Sequence, residues 1–487
     1  MKVLMVAAEM VPYAKTGGLA DVVGSLPLAL KNDDMEIKCI LPYYSMVEQS
    51  GVDVTAELIG IPVEMGNEKF TGNILRKKGA DAVEVYFVQQ HQFFAREGLY
   101  GTPAGDFPDN LKRFIFFSKV VLRFCELINF APDIIHCHDW QAGLIPVYIK
   151  TLAKNKPVFR KTAIIFTIHN IAYQGLFDAA QFQLTDLPHS VFTVDGLEYW
   201  GNMNWLKAGI NFSDYINTVS LKYSQEIQTP EFGYGMDGIL RNRRHRLTGI
   251  INGVDYAVWN PETDKLIAAN YSIQDLKGKK KCKADLLASF NLPKSAKDRP
   301  VLGIISRLAA QKGFDLLAEI IEHLMERNLI VVLLGTGEQI YHDLFQDIAN
   351  RYPGKIGVKI AFDNQLAHKI EAGSDMFLMP SRYEPCGLNQ IYSLKYGTIP
   401  IVHATGGLDD TVQAYDPNSG KGNGFKFYNY TAGAFLAAID QALELYSRPD
   451  EWKKIILNGM QADFSWEKSA LSYKALYELA LGLATLK

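Results

Sequence analysis

Lys15-Thr16-Gly17-Gly18-Leu19-Ala20-Asp21-Val22-Val23 follows a short apolar run at the start of the chain, and its core returns as Thr405-Gly406-Gly407-Leu408-Asp409-Asp410-Thr411-Val412. Each copy lies between a strand-like run and a helix start. Adjacent glycines let backbone N–H groups turn toward an anion at a helix N-terminus. One such turn in each half implies two related nucleotide-type folds facing each other across a cleft. The copies are unequal: Lys15 precedes the first and Ala404 the second, so only the first carries its own cation.

Outward from these phrases the chain alternates strands and helices. Strands are expected at Val3–Ala8, Glu36–Leu41, Ala82–Gln89, Asp133–Cys137, Ala163–Ile168 and Tyr215–Val219. The second half repeats the rhythm at Val301–Ser306, Ile330–Gly335, Val358–Ala361, Met376–Pro380 and Ile399–His403. Asn110–Asn129 and Phe314–Arg327 carry apolar residues at helical spacing. Repeated βα units imply parallel sheets covered by helices, two doubly wound α/β domains in series. The boundary is expected near Ile251–Asp255, giving a first domain over 1–250 and a second over 251–460. A helical segment, 461–487, packs back on the first. The basic run Lys277–Lys283 reads as a solvated helix face.

A chain of 487 residues is too long for one core. A net charge of -3 supplies no global pull toward nucleic acid or an anionic membrane, so an anionic ligand must be met by local cations. The 5 cysteines are scattered without C-x-x-C spacing, which points to a reducing compartment rather than a disulfide frame. No leader pattern precedes the first strand and no apolar run is long enough to span a bilayer. The expectation is a cytoplasmic protein, with a plastid protein already stripped of its leader as the alternative.

Ligands of open α/β sheets sit beyond the carboxyl ends of strands, so residues just after strands carry the chemistry. Lys15 with Gly17 and Gly18 offers an ammonium and backbone donors at one point, which suits a phosphate. His136-Cys137-His138-Asp139-Trp140 ends one strand. It reads as a structural His136, a carboxylate at Asp139 and an apolar wall for a sugar face at Trp140. The neighbouring strand ends in Thr167-Ile168-His169-Asn170 and adds a second polar tip. In the second half Arg307 and Lys312 stand at a helix start, where cations oppose the macrodipole. A bound diphosphate reverses that sign, each charge-assisted bond contributing roughly 1.5–3 kcal/mol. Glu384-Pro385-Cys386-Gly387-Leu388 places a carboxylate beside a helix N-terminus.

Three rival readings are weaker. Gly335-Thr336-Gly337 lacks the third glycine of a dinucleotide fingerprint, since position 340 is Ile. His136 and His138 lack further ligands at metal spacing. A non-catalytic glucan-binding module leaves the charged strand tips unexplained.

Together, Lys15–Leu19, His136–Trp140, Thr167–Asn170, Asn252–Asp255, Ser306–Gly313, Glu384–Leu388 and Thr405–Leu408 resemble the bacterial glycogen synthases and plant starch synthases, in the right order over nearly the whole chain. The resemblance implies a GT-B fold, two Rossmann-like domains around a deep cleft. It also implies transfer of glucose from ADP-glucose to the non-reducing 4-OH of an α-1,4-glucan, with retention and no metal or other cofactor. By the same resemblance, Lys15, Gly17 and Gly18 lie near the donor phosphates, with Asp21 beside them. Arg307 and Lys312 neutralise departing ADP, and Asp139 and His169, with Trp140 and Asn170, wall the transferred glucose. Glu384 holds glucose hydroxyls. The backbone of Cys386, Gly387 and Leu388, and that of Thr405 and Gly406, meets the donor, and Asn252 contacts the sugar side. Many retaining GT-B enzymes have a second glutamate eight residues after the first; here that position is Tyr392, so ribose recognition is expected to come from elsewhere.

Overall fold

The apolar runs of the first half build a nine-stranded sheet. Its strands are β1 (Lys2–Val6), β2 (Glu36–Pro42), β3 (Val54–Met65), β4 (Glu68–Lys77), β5 (Glu84–Gln89), β6 (Ile134–His138), β7 (Ala163–Ile168), β11 (Tyr215–Thr218) and β12 (Leu247–Gly249). β8 (Leu176–Asp178), β9 (Glu198–Tyr199) and β10 (Asn202–Asn204) form a separate small sheet in which β10 is central. The structure, a computed structural model, describes residues 1–31, 34–79, 83–102 and 104–484. Spatial order in the large sheet is β12-β11-β7-β6-β1-β2-β5-β4-β3. All neighbours are parallel except around β4, which runs antiparallel to both β3 and β5. Apart from the half-buried edge strand β12, the parallel strands are largely buried on both faces, which is why most read as apolar runs. The β3–β4 hairpin escapes the sequence reading because much of β3 is exposed and shows no such run. Ala82, expected to open the third strand, lies outside the described residues.

The second half forms a six-stranded, all-parallel sheet. Its strands are β13 (Val301–Ile305), β14 (Ile330–Gly335), β15 (Ile356–Ile360), β16 (Met376–Met379), β17 (Ile399–His403) and β18 (Phe425–Phe427). Their order is β15-β14-β13-β16-β17-β18. In both sheets the chain therefore winds one way from its first strand and then returns to wind the other. The reversal falls between β1 and β6 in one sheet and between β13 and β16 in the other. A crevice for ligand opens at such a reversal, beyond the strands' carboxyl ends.

The helices that matter for the site are α1 (Gly18–Leu30), α2 (Asn110–Leu127), α3 (Phe314–Glu326), α4 (Asn389–Lys395), α5 (Gly406–Thr411) and α6 (Trp466–Ala484). The chain divides into two compact units. One holds residues 1–219 and 224–253 together with the helix from Trp466; the other holds 220–223 and 254–465. The final helical stretch is two helices, Pro449–Gln461 and α6, broken at 462–465. α6 is built into the first unit: Tyr473 and Tyr477 are fully buried, and the Tyr477 hydroxyl meets His136 Nδ1 at 2.8 Å.

The run Lys277–Lys283 forms a solvated face only in part: Lys277, Lys280 and Lys281 are exposed. Lys279 and Lys283 are buried, Lys279 Nζ donating to the Ala372 and Tyr396 carbonyls and to Thr398 Oγ1, and Lys283 Nζ to Asp375 and the Arg299 carbonyl. Long aliphatic stems reach these internal acceptors, something a charge run cannot reveal. The 5 cysteines are buried free thiols.

Candidate active site

In the first unit the polypeptide leaves β1, passes through buried Glu9 and returns to start α1 with Gly17 as its N-cap. The Glu9 carboxylate accepts from Thr16 N at 2.5 Å, Thr16 Oγ1 at 2.6 Å, Gly17 N at 3.2 Å and the Tyr100 hydroxyl at 2.8 Å. One of the backbone donors expected to face a phosphate, Gly17 N, is thus held by an internal carboxylate. Sequence reasoning missed Glu9 and Tyr100; the available signal was an acidic residue just after β1. Lys15 Nζ pairs with Asp21 Oδ1 at 2.7 Å, which uses one of its three N–H donors. Gly17 and Gly18 have no positive φ, and a Cβ built on either meets nothing within 4 Å. Glycine here leaves space open rather than permitting a bend.

Asp139 follows β6 at φ 54 and ψ -176, a region that is otherwise glycine's and costs about 1–3 kcal/mol. The surroundings over-determine it. Asp139 N donates to the Thr167 carbonyl at 3.0 Å, while Oδ1 accepts from His169 N at 2.7 Å and the Asn170 backbone also donates to the carboxylate. Burial pushes the Asp139 carboxyl up to about 8, and the Glu9 charge adds to the rise. His169 Nε2 lies 2.9 Å from His138 Nδ1. Burial lowers His169 to about 3 and His138 well below the ordinary range, so both rings are neutral at physiological pH. His136 is spent structurally on Tyr477 and on Thr167 Oγ1.

Asn170 Oδ1 caps its own turn through Ala172 N at 3.0 Å. Asn252 is buried, and its Oδ1 has no hydrogen-bond partner among the described residues. Trp140 departs from expectation. Its ring is buried among Tyr100, Phe114, Phe177 and Trp205, and Gly175 presses against it so closely that a Cβ there would lie 2.6 Å from the indole. Trp140 supports the site as core and does not offer a face to a sugar.

In the second unit two loops meet at the reversal between β13 and β16. Gly313, at φ 80, begins α3 against the Pro380 carbonyl, which a Cβ would approach to 2.1 Å. Lys312 Nζ donates to Glu384 Oε2 at 2.5 Å, and Ser381 Oγ donates to the same oxygen at 3.1 Å. Glu384 is buried and Lys312 half-buried, so the ammonium is tethered rather than loose. Glu384, expected to hold sugar hydroxyls, has one oxygen committed to Lys312. Arg307 is exposed and donates to Gln311 Oε1 at 3.1 Å. A cavity of about 450 Å³ adjoins Arg307, Gln311 and Glu338.

Cys386 is buried, Gly387 turns at φ 71, and Leu388 is the N-cap of α4. α5 packs directly onto this loop: Gly407 N donates to the Glu384 carbonyl at 3.1 Å, and Gly406, at φ 45, lies against the same carbonyl. A Cβ on Gly407 would sit 2.0 Å from the Cys386 carbonyl oxygen. Thr405 is buried before α5. The second glycine phrase is thus a packing element that braces the Glu384 loop. Tyr392 stacks on Trp259 at 4.0 Å between ring centroids, with His368 stacked at 3.9 Å. Beyond β15, Phe362 is 93% exposed, an aromatic at a strand's carboxyl end that the sequence reading passed over.

The model of the starch synthase catalytic domain matches residues 2–242, and that of glycosyl transferases group 1 matches residues 289–457. A glycogen synthase of Koribacter versatilis is 47% identical over 480 residues, covering 99% of this chain and 98% of that protein. One from Thermosipho africanus is 45% identical over 488 residues, covering 99% of both. Among solved structures, the catalytic domain of starch synthase IV from Arabidopsis thaliana, bound to ADP and acarbose, is 32% identical and superimposes with a TM-score of 0.90 over 99% of each chain.

Proposed function

The chain belongs to the starch synthase and glycogen synthase family of glycosyltransferases, and from that premise we propose that it transfers glucose from ADP-glucose to the non-reducing 4-hydroxyl of an α-1,4-glucan, with retention and without a metal. The observation that carries the mechanism is Lys312, tethered by buried Glu384 at the reversal of its sheet. As the C1–O bond to the diphosphate breaks, negative charge builds on ADP and oxocarbenium character on glucose. Lys312 keeps two donors beyond its bond to Glu384, and Arg307 adds a guanidinium; both answer the leaving-group charge without reorganisation.

Glu384 then acts chiefly by aiming Lys312. Lys15 and the bare Cα faces of Gly17 and Gly18 admit the donor phosphates closely, with Asp21 steadying Lys15. Asp139, beside neutral His169 and Asn170, orients the glucose, and the fraction of its carboxyl that is ionised stabilises the developing positive charge. The acceptor oxygen attacks on the face the diphosphate leaves, and its proton passes to a departing phosphate oxygen. Asn252 supplies an acceptor to a sugar hydroxyl, Cys386, Gly387 and Leu388 supply backbone donors to the donor's oxygens, and Phe362 offers a ring to the nucleotide base. Thr405 and Gly406 act through the Glu384 loop. The same reading makes this a cytoplasmic enzyme of glycogen synthesis; no helix among the described residues is long and apolar enough to cross a membrane.

The test is incubation with ADP-glucose or UDP-glucose and glycogen, with and without EDTA, following nucleotide release. Glucan-dependent ADP release unaffected by chelator is expected. Release from UDP-glucose alone would refute the donor, and loss with EDTA would refute the metal-free mechanism.

A further inference from the structure

Six non-glycine residues among those described adopt positive φ: Asn129, Asp139, Asp186, Trp200, Tyr234 and Asn291. Four are Asn or Asp, which tolerate that backbone. Trp200 (φ 53) and Tyr234 (φ 49) do not; bulky side chains there are outliers that persist where function holds them. Neither ring is buried in exchange: Trp200 is 86% exposed and Tyr234 43%. Each is followed by a glycine that is also left-handed, Gly201 at φ 79 and Gly235 at φ 81.

The two turns are fastened together. Tyr199 points its hydroxyl at the Tyr234 carbonyl at 3.5 Å, and a Cβ on Gly235 would lie 2.1 Å from that hydroxyl. Gly201 N is held by Glu198 Oε1 at 2.7 Å. The pair is continuous with the β7 tip, because Gln174 Nε2 donates to the Tyr234 carbonyl at 2.9 Å and the neighbouring Tyr173 is itself 53% exposed. Tyr173 N in turn bonds the Asn170 carbonyl at 3.2 Å. Exposed aromatics thus sit on a set of turns linked by hydrogen bonds to the turn at Asn170.

We propose that Trp200 and Tyr234, extended by Tyr173, form a platform on which an α-1,4-glucan chain lies as it leaves the acceptor position. This rests on the reading of the acceptor as a glucan. Glucose rings present flat C–H faces that pack on aromatic faces, and an uncharged polymer needs no ion pairs. A platform that must stay in water without collapsing needs rigid turns, and the left-handed pairs provide them.

The experiment uses the full chain without donor, measuring retardation in native gels that contain glycogen. W200N and Y234N suit the backbone better than the natural residues, so their melting midpoints should hold or rise. Each should nevertheless raise the dissociation constant for glycogen about five- to ten-fold, with the double variant weaker still. Ile59→Ala, an exposed apolar change in the same unit, should run like the parent. Equal retardation of parent and double variant overturns the platform, as does a clear fall in midpoint, which would make the rings structural. A parent that self-associates where the double variant does not, with equal retardation, assigns the patch to a second copy of the chain and also overturns it. These results leave glucan-dependent ADP release by the parent untouched; its absence would instead remove the functional reading itself.

Discussion

Asp139 stands in a backbone conformation that favours glycine and in surroundings that resist its charge. Its carboxyl is raised from an ordinary value near 4 to about 8, so the folded protein keeps a proton that the unfolded chain releases across that window. Stability of the parent must therefore fall as pH rises from about 4 to about 8 through this group. Asp139→Asn removes that slope. Its melting midpoint should exceed the parent's by a margin that widens between pH 5 and pH 8, while glucosyl transfer drops by about 10²-fold or more. A margin that stays flat with pH would contradict the titration. Lys312→Ala should lower kcat by about 10²–10³-fold if it answers leaving-group charge, and an unchanged rate would remove that role. Asp139 was legible from sequence because it follows a strand directly, and Lys312 because it is a cation just before a helix start, where the macrodipole opposes it. Glu9 was not. Its importance comes from Thr16, Gly17 and Tyr100 converging on it, and Tyr100 is brought there only by the fold.

The doubled glycine phrase separates into two physical roles once its helices are seen. In the first copy Gly17 and Gly18 border empty space; in the second Gly406 and Gly407 are jammed against the Glu384 and Cys386 carbonyls. Gly18→Ala should leave the melting midpoint unchanged or slightly higher, since alanine favours a helix by about 0.5–1 kcal/mol. It should still raise KM for the nucleotide sugar, because a methyl group enters the space reserved for the donor. Gly407→Ala should instead destabilise by about 1–3 kcal/mol, as backbone must move away from the new Cβ, a difference that thermal melts of the two variants would show. A destabilised Gly18→Ala would show that its open space is not reserved for ligand. The sequence repeat shows two helix starts after strands, which the fold has. It cannot show which glycines face a void and which face a carbonyl, because that depends on the loop after β16 lying over α5.

Each unit has its own parallel sheet, and the six-stranded one carries Arg307, Lys312 and Glu384. If the diphosphate sits on those cations, ADP should selectively raise the unfolding temperature of the second unit, by about 2.7 kcal/mol of added stability at a hundred-fold excess over Kd. Calorimetry with and without ADP reads this, and a shift confined to the other transition would count against it. At this scale the alternation of strands and helices foretold two doubly wound folds. The strand order was beyond its reach, since the reversal at β1 and β6 depends on which strands pair rather than on their sequence. Residues 254–465 separate the body of the first unit from its last helix, α6, whose Tyr477 holds His136 beneath the β6 tip. That arrangement sets a schedule at the ribosome. At roughly 5–20 residues per second, β1 to β12 must wait on the order of ten to forty seconds for α6 to be synthesised. The second unit, made entirely within that interval save for 220–223, is therefore complete first, and the half of the enzyme that begins the chain is the half that finishes last.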